Sequence, residues 1–533
     1  MSRQAGPPAG PRRLPAIALV ALVLALAGVA NATLHHHQSA DRLASVQDQS
    51  VARVSSKVTS AAWYCAGPLP VGTRNEASSL AVANAGPKQV SGELVVATND
   101  GRNTVTPFSI GRYSQGVYGL MRSGRAAFAA ATVLVNGAGV GVEELVHGPT
   151  GPVSSPCVSH ASMVGYVAAG STENASNLAL ALYDPGATPA VVNVSFATGA
   201  GRVAPPTFQG ISLSAGQLQV VDVGHYLPAR PVVATTVSAT GGKVVAGALL
   251  VAANAKSVES TLLDAVTAPR SAWSFSAAPA GGAVRQLFSV LDPGKVAARI
   301  VLHLATSSGS SALAETVPAG GIVHLAPSPE VSPVAMRYAT VTSADGVGVV
   351  VAREALLVGR VVPSAPKAVK RTETVRVLVH GRVVTRRQVV TVTSRSTAPA
   401  FVGLPQLEPG YAATSAVAEP GTTWLIAGGE SDRHASELLT VADPGDRPAR
   451  IVVHLLASSG KAPTRRTPVA QLSGLTVPAH GEVTFSLAAL PALKGELPLE
   501  VSATSPVLAA GELYARGSTS ALGFSSPAAI PVR

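Results

Sequence analysis

The chain has 533 residues, enough for about three to five domains of ordinary size. Hydrophobic residues make up 47%, charged residues only 13% and aromatic residues only 4%, alongside 51 glycines and 40 prolines. This composition favours short strands and tight turns over long helices, and so few aromatic rings argue against a sugar-binding cleft. The net charge of +11 indicates a nucleic-acid partner inside a cell, but anionic lipids and wall polymers outside it.

An apolar segment near the amino terminus decides between these compartments. Leu14–Ala32 carries no charge, and Arg3, Arg12 and Arg13 precede it. A helix of this length spans about 28 Å, which is close to the thickness of the hydrocarbon core. Because positive residues stay on the cytoplasmic side, we expect residues 33–533 to lie outside the membrane. Nucleic acid is then not an expected partner.

The apolar segment has two possible fates. We expect residues 1–13 to be cytoplasmic and residues 14–32 to form a signal anchor, in a single-pass cell-membrane protein with its C-terminal region extracytoplasmic. Ala30-Asn31-Ala32 is also a fair cleavage site, so secretion after cleavage near Ala32 stays open. Residues 33–60 are polar and predict a stalk or linker. His35-His36-His37 lies in this linker, but consecutive imidazoles do not converge on one metal ion, so no metal site is predicted.

Cys65 and Cys157 are the only cysteines in the sequence. Outside the membrane an even pair of cysteines usually forms a disulfide, and this pair brackets the first predicted module. Two free thiols, or one catalytic cysteine with a histidine, are the alternatives. No histidine-rich context supports the catalytic one.

One pattern recurs four times along the chain. In its two clearest copies, Asp-Pro-Gly precedes an apolar strand and a Ser-Ser-Gly turn, with a tryptophan 19 residues before the aspartate. These copies begin their turns at Asp292 and Asp443, and a Val-Pro-Ala-Gly element follows, in which Gly320 is matched with Gly481. Weaker copies begin at Asp184 and at Asn84, where Asn-Ala-Gly-Pro stands in for Asp-Pro-Gly.

The repeat predicts an all-β fold of tandem immunoglobulin-like antiparallel β-sandwich modules after one N-terminal transmembrane or signal helix. A repeat of roughly 90–110 residues suits one sandwich and is too long for a propeller blade. Within the strand Arg299–Leu304, alternation places Arg299, Val301 and His303 on one face and the aliphatic residues on the other. The predicted modules are residues 61–158, 159–268, 269–362 and 421–533.

Two sets of repeated polar residues invite a functional interpretation. His303 and His454 occupy equivalent strand positions in separate modules, and outward-facing strand residues explain them better than metal ligands do. Glu144, Glu354 and Glu512 stand in the closing strands, where a repeated structural position explains them better than an acid catalyst does. We therefore predict no catalytic, metal or cofactor site in these strands.

An insertion at residues 363–420 precedes the last module. Between Lys367 and Arg395 it contains eight basic residues and one acid, Glu373. Thr374–Val379 and Val383–Thr393 alternate in polarity on either side of His380-Gly381, which predicts a protruding hairpin. It either contacts an anionic lipid or wall surface or is a solvated hairpin whose charges prevent edge pairing. The candidate surface contacts are Lys370, Arg371, Arg376, Arg382, Arg386 and Arg387.

The segment Trp63-Tyr64-Cys65-Ala66-Gly67-Pro68, which follows a single apolar segment, resembles the actinobacterial domain-of-unknown-function family 5719. The Asp-Pro-Gly strands and the Val-Pro-Ala-Gly element are similar to that family too, so the resemblance covers nearly everything after residue 60. It implies an extracytoplasmic, membrane-associated protein with no assigned activity. It adds no catalytic residue, and the basic insertion is a departure from the family pattern.

The sequence contains no nucleophile elbow, phosphate-binding loop, zinc-binding His-Glu-x-x-His or Cys-x-x-Cys motif. Its 29 acids are thinly spread, so no glycosidase carboxylate pair can be named. We expect a non-catalytic envelope scaffold, adaptor or binding module, membrane-anchored or secreted, that contacts an envelope protein or an anionic surface. The alternative is an accessory protein or enzyme of envelope polysaccharide or lipid-linked sugar metabolism.

Overall fold

The computed structural model describes most of the chain after residue 52, as one compact unit. The predicted segments 1–13 and 14–32, the histidines of the linker and the cleavage site near Ala32 lie outside the described residues. Within the part that is described, no helix is long and apolar enough to cross a membrane. The described residues are 53–55, 58–71, 77–120, 125–148, 151–174, 176–253, 258–276, 284–306, 309–327, 336–357, 359–362, 367–379, 382–394, 400–403, 410–415, 417, 419–431, 435–457, 466–487, 490, 495–515, 524–525 and 529–532.

The first module is a sandwich of two four-stranded antiparallel sheets, in the orders β1-β6-β3-β4 and β5-β2-β7-β8. Apolar side chains from both sheets, including Trp63, fill the space between them. The strands are β1 (Ala61–Pro70), β2 (Ala77–Asn84), β3 (Val90–Thr98), β4 (Asn103–Ile110), β5 (Ser114–Leu120), β6 (Phe128–Asn136), β7 (Val140–Gly148) and β8 (Gly151–Pro156).

The second module repeats this plan with a divided edge strand. Its sheets are β9-β15-β11-β12, with β13 also on β11, and β14-β10-β16-β17. A 3₁₀ turn at Pro206–Phe208 separates β12 from β13, and a short helix occupies Val223–Tyr226. The strands are β9 (Val164–Val167), β10 (Asn177–Tyr183), β11 (Ala190–Thr198), β12 (Gly201–Val203), β13 (Ile211–Leu213), β14 (Leu218–Asp222), β15 (Val233–Gly241), β16 (Val245–Ala253) and β17 (Val258–Asp264).

The third module is interrupted by the insertion and completed after it. Its sheets are β18-β23-β20-β21 and β22-β19-β24-β29. Strand β29 pairs with β24, although the sequence placed its residues inside the predicted insertion 363–420. The strands are β18 (Ala272–Ser276), β19 (Val284–Leu291), β20 (Ala298–Thr306), β21 (Gly309–Val317), β22 (Ile322–Leu325), β23 (Met336–Ser343), β24 (Val350–Leu357), β25 (Gly359–Val362), β26 (Lys367–Val379), β27 (Arg382–Ser394), β28 (Ala400–Gly403) and β29 (Gly410–Ser415).

The insertion is a two-stranded arm. Strands β25 and β28 pair at its base, and β26 and β27 pair along 13 residues each. The register matches Val379 with Arg382, the residues on either side of the predicted turn, and His380 and Gly381 lie outside the described residues. The long alternating β-branched runs favour this extended pairing.

The fourth module uses one long strand, β38, in both of its sheets. β38 joins β33 and β30 on one side of the sandwich and β32 on the other. A 3₁₀ turn at Ala470–Leu472 divides its edge strand. The strands are β30 (Gly421–Ile426), β31 (Glu430–Ser431), β32 (Ala435–Asp443), β33 (Ala449–Leu455), β34 (Thr467–Pro468), β35 (Leu475–Val477), β36 (Gly481–Ser486), β37 (Gly495–Glu496), β38 (Leu499–Ala515), β39 (Phe524–Ser525) and β40 (Ile530–Pro531).

The four modules confirm the predicted all-β fold of tandem antiparallel sandwiches. Alternation in β20 follows the prediction, since Arg299 and His303 are exposed while Ile300, Leu302 and Leu304 are buried. Trp273 and Trp424 are fully buried, and each indole donates a hydrogen bond to an equivalent carbonyl, that of Val349 at 2.7 Å and that of Val507 at 3.0 Å.

The same side-chain turn follows the second strand of every module. In each, a buried Asp or Asn accepts a hydrogen bond from the glycine two residues later, at 2.7–2.9 Å, which stabilises the reversal between two strands. Module 1 uses Asn for this contact and the other modules use Asp, so the feature that they share is the side-chain oxygen Oδ1. The four pairs are Asn84 with Gly86, Asp184 with Gly186, Asp292 with Gly294, and Asp443 with Gly445.

The modules close into a ring, which the sequence did not predict. In the second sheet of each module, the last strand is β8, β17, β29 or β39, and these four strands lie against one another in a closed cycle. Backbone bonds join the fourth module to the first: Ala457 N–H donates to Tyr113 O, and Gln115 N–H donates to Ala457 O, both at 2.8 Å. Val54 N–H also donates to Pro531 O at 2.9 Å. The two ends of the described chain therefore meet at one junction.

The turn contact makes a direct prediction. Asp292→Ala should lower the stability of the chain by about 1–2 kcal/mol, because the Gly294 N–H loses its acceptor. Asp292→Asn should cost much less, since Asn84 makes the same contact in the first module. Denaturant midpoints of the two variants test this, and equal losses would contradict it.

Candidate functional site

Neighbouring modules meet at an equivalent turn in all four cases. The turn lies between the edge strand and the next strand, and one residue in it has a left-handed backbone: Tyr113, Gly216, Gly320 and His480, with φ between 51° and 74°. The counterpart of Gly320 is therefore His480 and not Gly481, which corrects the match made from the sequence. Gly481 instead matches Gly321, since each donates its N–H to a proline carbonyl three residues earlier.

In modules 2 to 4 this turn faces the preceding module, and in module 1 it faces module 4. A Cβ on Gly216 would lie 2.6 Å from Nδ2 of Asn103, and a Cβ on Gly320 would lie 3.7 Å from Cδ of Arg202. In both cases the glycine leaves room for a polar side chain of the preceding module. The turns of modules 1 and 4 carry larger side chains at this point, an arrangement that propensity alone does not favour.

One register position supplies the facing side chain in every module. In module 1 this position is Asn103, which pairs with Ala97 in β3. In module 2 it is Arg202, which pairs with Ala197, the equivalent residue of β11. In the third module the pair is Ala305 with Ser310. In the fourth module Arg466 directly precedes the pair of Leu455 with Thr467. Three of the four positions thus carry Asn or Arg, and the third module carries a serine.

Arg466 fills the junction between modules 4 and 1. Its guanidinium lies 5.3 Å from the centre of the Tyr113 ring, bonds the Ala85 carbonyl at 3.2 Å and pairs with Glu500 at 3.1 Å. It also covers His454, whose pKa is lowered by burial and by the charge of Arg466. His454 is therefore a half-buried structural residue.

The junction between modules 3 and 4 is left open as a groove of about 690 Å³. Ser310 takes the place of Arg466, and Thr340 takes the place of Glu500, since Thr340 pairs with His303 as Glu500 pairs with His454. With no arginine above it, His303 is exposed. The groove is lined by His303, Leu304, Ala305, Thr306, Gly309, Ser310, Ser311, Ala312, Arg337, Tyr338 and His480.

His480 bridges the two modules at this groove. Its Nδ1 lies 3.2 Å from the hydroxyl of Tyr338, its Nε2 lies 3.0 Å from Asp446, and its carbonyl accepts a bond from Arg337 at 3.3 Å. Glu482 lies near Arg337 as well, and burial raises its pKa to about 7. Neither acid lines the groove. The described groove surface therefore carries one arginine, two imidazoles and several hydroxyls, but no carboxylate.

A second group of polar residues lies inside the junctions. Glu143 of module 1 accepts hydrogen bonds from the backbone N–H groups of Ala427 and Gly428 in module 4, at 2.8 and 2.9 Å. Its burial raises its pKa to about 7, although these two bonds act in the opposite direction. Burial, and then the charge of Glu143, hold the pKa of Glu437 well above its usual range. Beside them, His147 contacts Glu430 at 2.8 Å across the same junction.

Two further acids meet between modules 1 and 2. Burial and the neighbouring charge of Asp264 raise the pKa of Glu144 well above its usual range, and burial does the same for Asp264. In module 4, burial likewise raises the pKa of Glu512 despite the charge of Arg353 from module 3. These carboxyls are neutral or share protons at moderate pH, because an isolated charge in such a site is too costly.

The pairing register revises the sequence interpretation of the closing glutamates. Glu354 pairs with Leu287 and Glu512 with Leu438, each five residues before the Asp of the turn. Glu144 pairs with Leu80, four residues before Asn84. Glu354 and Glu512 are therefore equivalent, whereas Glu144 is shifted by one residue and belongs to the other face of its sheet.

The predicted disulfide between Cys65 and Cys157 is present and fully buried. It links β1 in one sheet to the end of β8 in the other, and the sequence separation of 92 residues would give about 4–5 kcal/mol in the chain-entropy description. The carboxylate of Glu144 lies beside both sulfurs. Because the sulfurs are bonded to each other, this group does not serve as a metal site.

The basic hairpin is present as paired strands, with Val375 opposite Arg386 and Thr374 opposite Arg387. The predicted surface contacts also include Lys370 and Arg371 in β26. The side chains of the hairpin lie outside what the structure describes, so its interaction with an anionic surface stays a prediction.

Sequence reasoning missed both the groove and the buried acids. His303 was identified as an outward residue, but its uncovered state depends on Ser310 and on a turn more than 170 positions away. The buried acids lie in strands that are apolar on both faces, so the alternation of polarity does not indicate on which face of the sheet each acid lies. A repeat alignment by pairing register, which reveals Ser310 against Arg466, is the signal that could have indicated the groove.

Comparisons with known proteins connect the chain to one family. The family of unknown function DUF5719 matches residues 148–325 and 408–512. The match leaves out most of the first module, including the Trp63–Pro68 segment, and most of the basic insertion. No curated protein matches the chain. Among solved structures, the chain is similar to a tetra-tandem repeat from the extending region of a large adhesion protein, with 12% identity, 90% of this chain and 98% of that chain covered, and a TM-score of 0.10.

The buried carboxyls predict an unusual dependence of stability on pH. Their folded-state pKa values lie above the ordinary values, so the stability that they contribute is present at acidic pH and is lost as the pH rises, in the case of Glu143 from about 4.5 through about 7. Glu143 alone should contribute about 3 kcal/mol to this loss. We expect a higher melting temperature at pH 5 than at pH 8.

Glu143→Gln provides the control, because a glutamine does not titrate. The variant should show a shallower decline between pH 5 and pH 8, whatever its stability at pH 5. A melting temperature of the native chain that rises toward pH 8 would contradict the assignment of neutral buried carboxyls.

Proposed function

We propose that this chain, which belongs to the family of unknown function DUF5719, is a non-catalytic scaffold or adaptor of the cell envelope. Either it is anchored in the membrane by residues 14–32 or it is secreted after cleavage near Ala32. The observation that carries the proposal is the closed ring of four sandwiches. Because Ala457 is bonded through its backbone to the first module, the ring holds four outward surfaces at constant spacing.

The disulfide supports the extracytoplasmic part of the proposal. Cys65 and Cys157 are fully buried and join the two sheets of the first module. Structural disulfides persist mainly in oxidising compartments, and the basic segment before residues 14–32 has the orientation of an exported chain.

The arrangement of the acids supports a non-catalytic role. The carboxyls with raised pKa, such as Glu143 and Glu512, lie within sheets and junctions, and none of them lines the groove between modules 3 and 4. General acid catalysis requires such a group within reach of a bound substrate. An accessory protein or enzyme of envelope polysaccharide or lipid-linked sugar metabolism remains the alternative, and turnover of such a substrate by the purified chain would favour it.

The experiment is affinity purification of the full chain from solubilised envelope. We expect envelope proteins to co-purify in stoichiometric amounts. The double variant Glu143→Lys with Arg466→Glu, which removes contacts across the closing junction, should lose these partners while its sheets still fold. A matched control, Arg450→Glu, changes an exposed arginine of the fourth module and should retain them. Recovery of the chain from the cytosol alone, or unchanged partners in the double variant, would contradict the proposal.

We also propose that the basic hairpin contacts anionic lipid or wall polymer outside the membrane. Arg386→Ala with Arg387→Ala should weaken binding to phosphatidylglycerol vesicles by about thirtyfold, since each basic residue contributes about 1 kcal/mol at such a surface. Vesicle sedimentation measures this. The control Arg299→Ala with Arg450→Ala removes the same charge from the sandwiches and should change binding little. Equal effects of the two double variants would remove the hairpin from the interaction.

A further inference from the structure

We infer that the groove between modules 3 and 4 binds a small oxyanion, a phosphate or carboxylate group carried on a hydroxyl-rich molecule. The inference rests on the proposed role as a binding protein and identifies the chemistry of one ligand. It comes from comparing the junctions between modules. Arg466 and Glu500 fill the junction between modules 4 and 1, whereas Ser310 and Thr340 stand at the equivalent positions of module 3.

The groove is lined by a small residue at a position where two other modules carry an arginine. Ser310 stands at the register position of Arg202 and Arg466, and Thr340 stands at that of Glu500. In module 4 the Arg466–Glu500 pair occupies this space, with its charges 3.1 Å apart. A ligand in the groove would therefore replace a side-chain pair that the fold accommodates elsewhere.

Basic side chains line the groove. Removing an arginine and a glutamate together leaves the net charge unchanged, but Arg337 lines the groove from β23 and exposed His303 lines it from β20. Asp446 contacts His480 and Glu482 lies near Arg337, but neither acid is among the lining residues. Among the described residues, the groove lining presents an arginine and imidazoles and no carboxylate, which favours an anion.

His480 provides a second, independent observation. Glycine occupies its left-handed position in modules 2 and 3, and a residue with a Cβ is disfavoured there by about 1 kcal/mol. The imidazole compensates by fixing Tyr338 and Asp446 at one wall of the groove. Tyr113 has the same left-handed backbone in module 1, so the distinguishing feature of His480 is that it lines the open groove, whereas the Tyr113 ring is packed against Arg466.

The donors present fit an oxyanion. The guanidinium of Arg337 supplies charged donors, the ring of exposed His303 supplies an N–H, and the hydroxyl of Ser310 supplies a neutral donor on the same face of the sheet as His303. Oxyanions of phosphate and carboxylate accept several such bonds at once. Since the groove holds about 690 Å³, it has room for the group and a sugar-sized carrier.

The test uses the full, disulfide-intact chain and two probes, glycerol 2-phosphate and glucuronate, measured by titration calorimetry or by NMR. We expect saturable binding of at least one probe, and the preferred probe distinguishes a phosphate source from a carboxylate source. Ser310→Glu, which adds a negative charge to the groove lining, should weaken binding at least about tenfold without loss of melting temperature. His303→Ala and Arg337→Ala should each weaken it as well.

Arg299→Ala is the matched control, since it removes an exposed cation from the same strand outside the groove lining. Absence of saturable binding of both probes, or binding that Ser310→Glu leaves unchanged, would overturn the inference. If envelope partners are still recovered in that case, the scaffold proposal survives without this ligand. If the probes bind but no partners are recovered, the groove stands and the scaffold proposal fails.

Discussion

Contact between the fourth module and the first is the constraint on which the rest of the structure depends. Four similar sandwiches in a row would form an open chain unless the last one returned to the first. The backbone bonds between Ala457 and Tyr113, together with the contacts of Arg466 with the Tyr113 ring and the Ala85 carbonyl, make that return. Once it is made, the rotation between successive modules is set, and each turn must meet the module before it. The buried acids and the groove are both products of this closed geometry.

Closure also explains why so many carboxyls are tolerated without water. Glu143 receives two backbone N–H donors from the facing module, so its site is built from both partners and exists only in the closed ring. Glu144 and Asp264 share a boundary in the same way between modules 1 and 2. Burying polar groups at interfaces adds little net stability, but it penalises other alignments of the modules, because misaligned acids would be left without partners. We regard this as the physical basis of a defined ring.

The sequence predicted what is local. Asp292-Pro293-Gly294 specifies a turn through a contact between residues two positions apart, and the alternation of Arg299–Leu304 specifies the two faces of one strand. Both features could therefore be predicted from short sequence segments. The hairpin was predictable for the same reason, whereas the disulfide was predicted from the number of cysteines, since Cys65 and Cys157 are 92 positions apart. The ring was not, since the contact of Ala85 with Arg466 joins residues 381 positions apart and leaves no periodic trace. The groove could be predicted only with the pairing register, because that register is what places Ser310 at the position of the arginines of other modules.

The meeting of Val54 with Pro531 has a topological consequence. In a closed cycle of equivalent units, the place where the polypeptide enters is arbitrary, as any of the four boundaries could serve. We expect the same architecture from a circularly permuted chain. In that chain a short linker joins these neighbouring segments, and the new termini lie between the second and third modules.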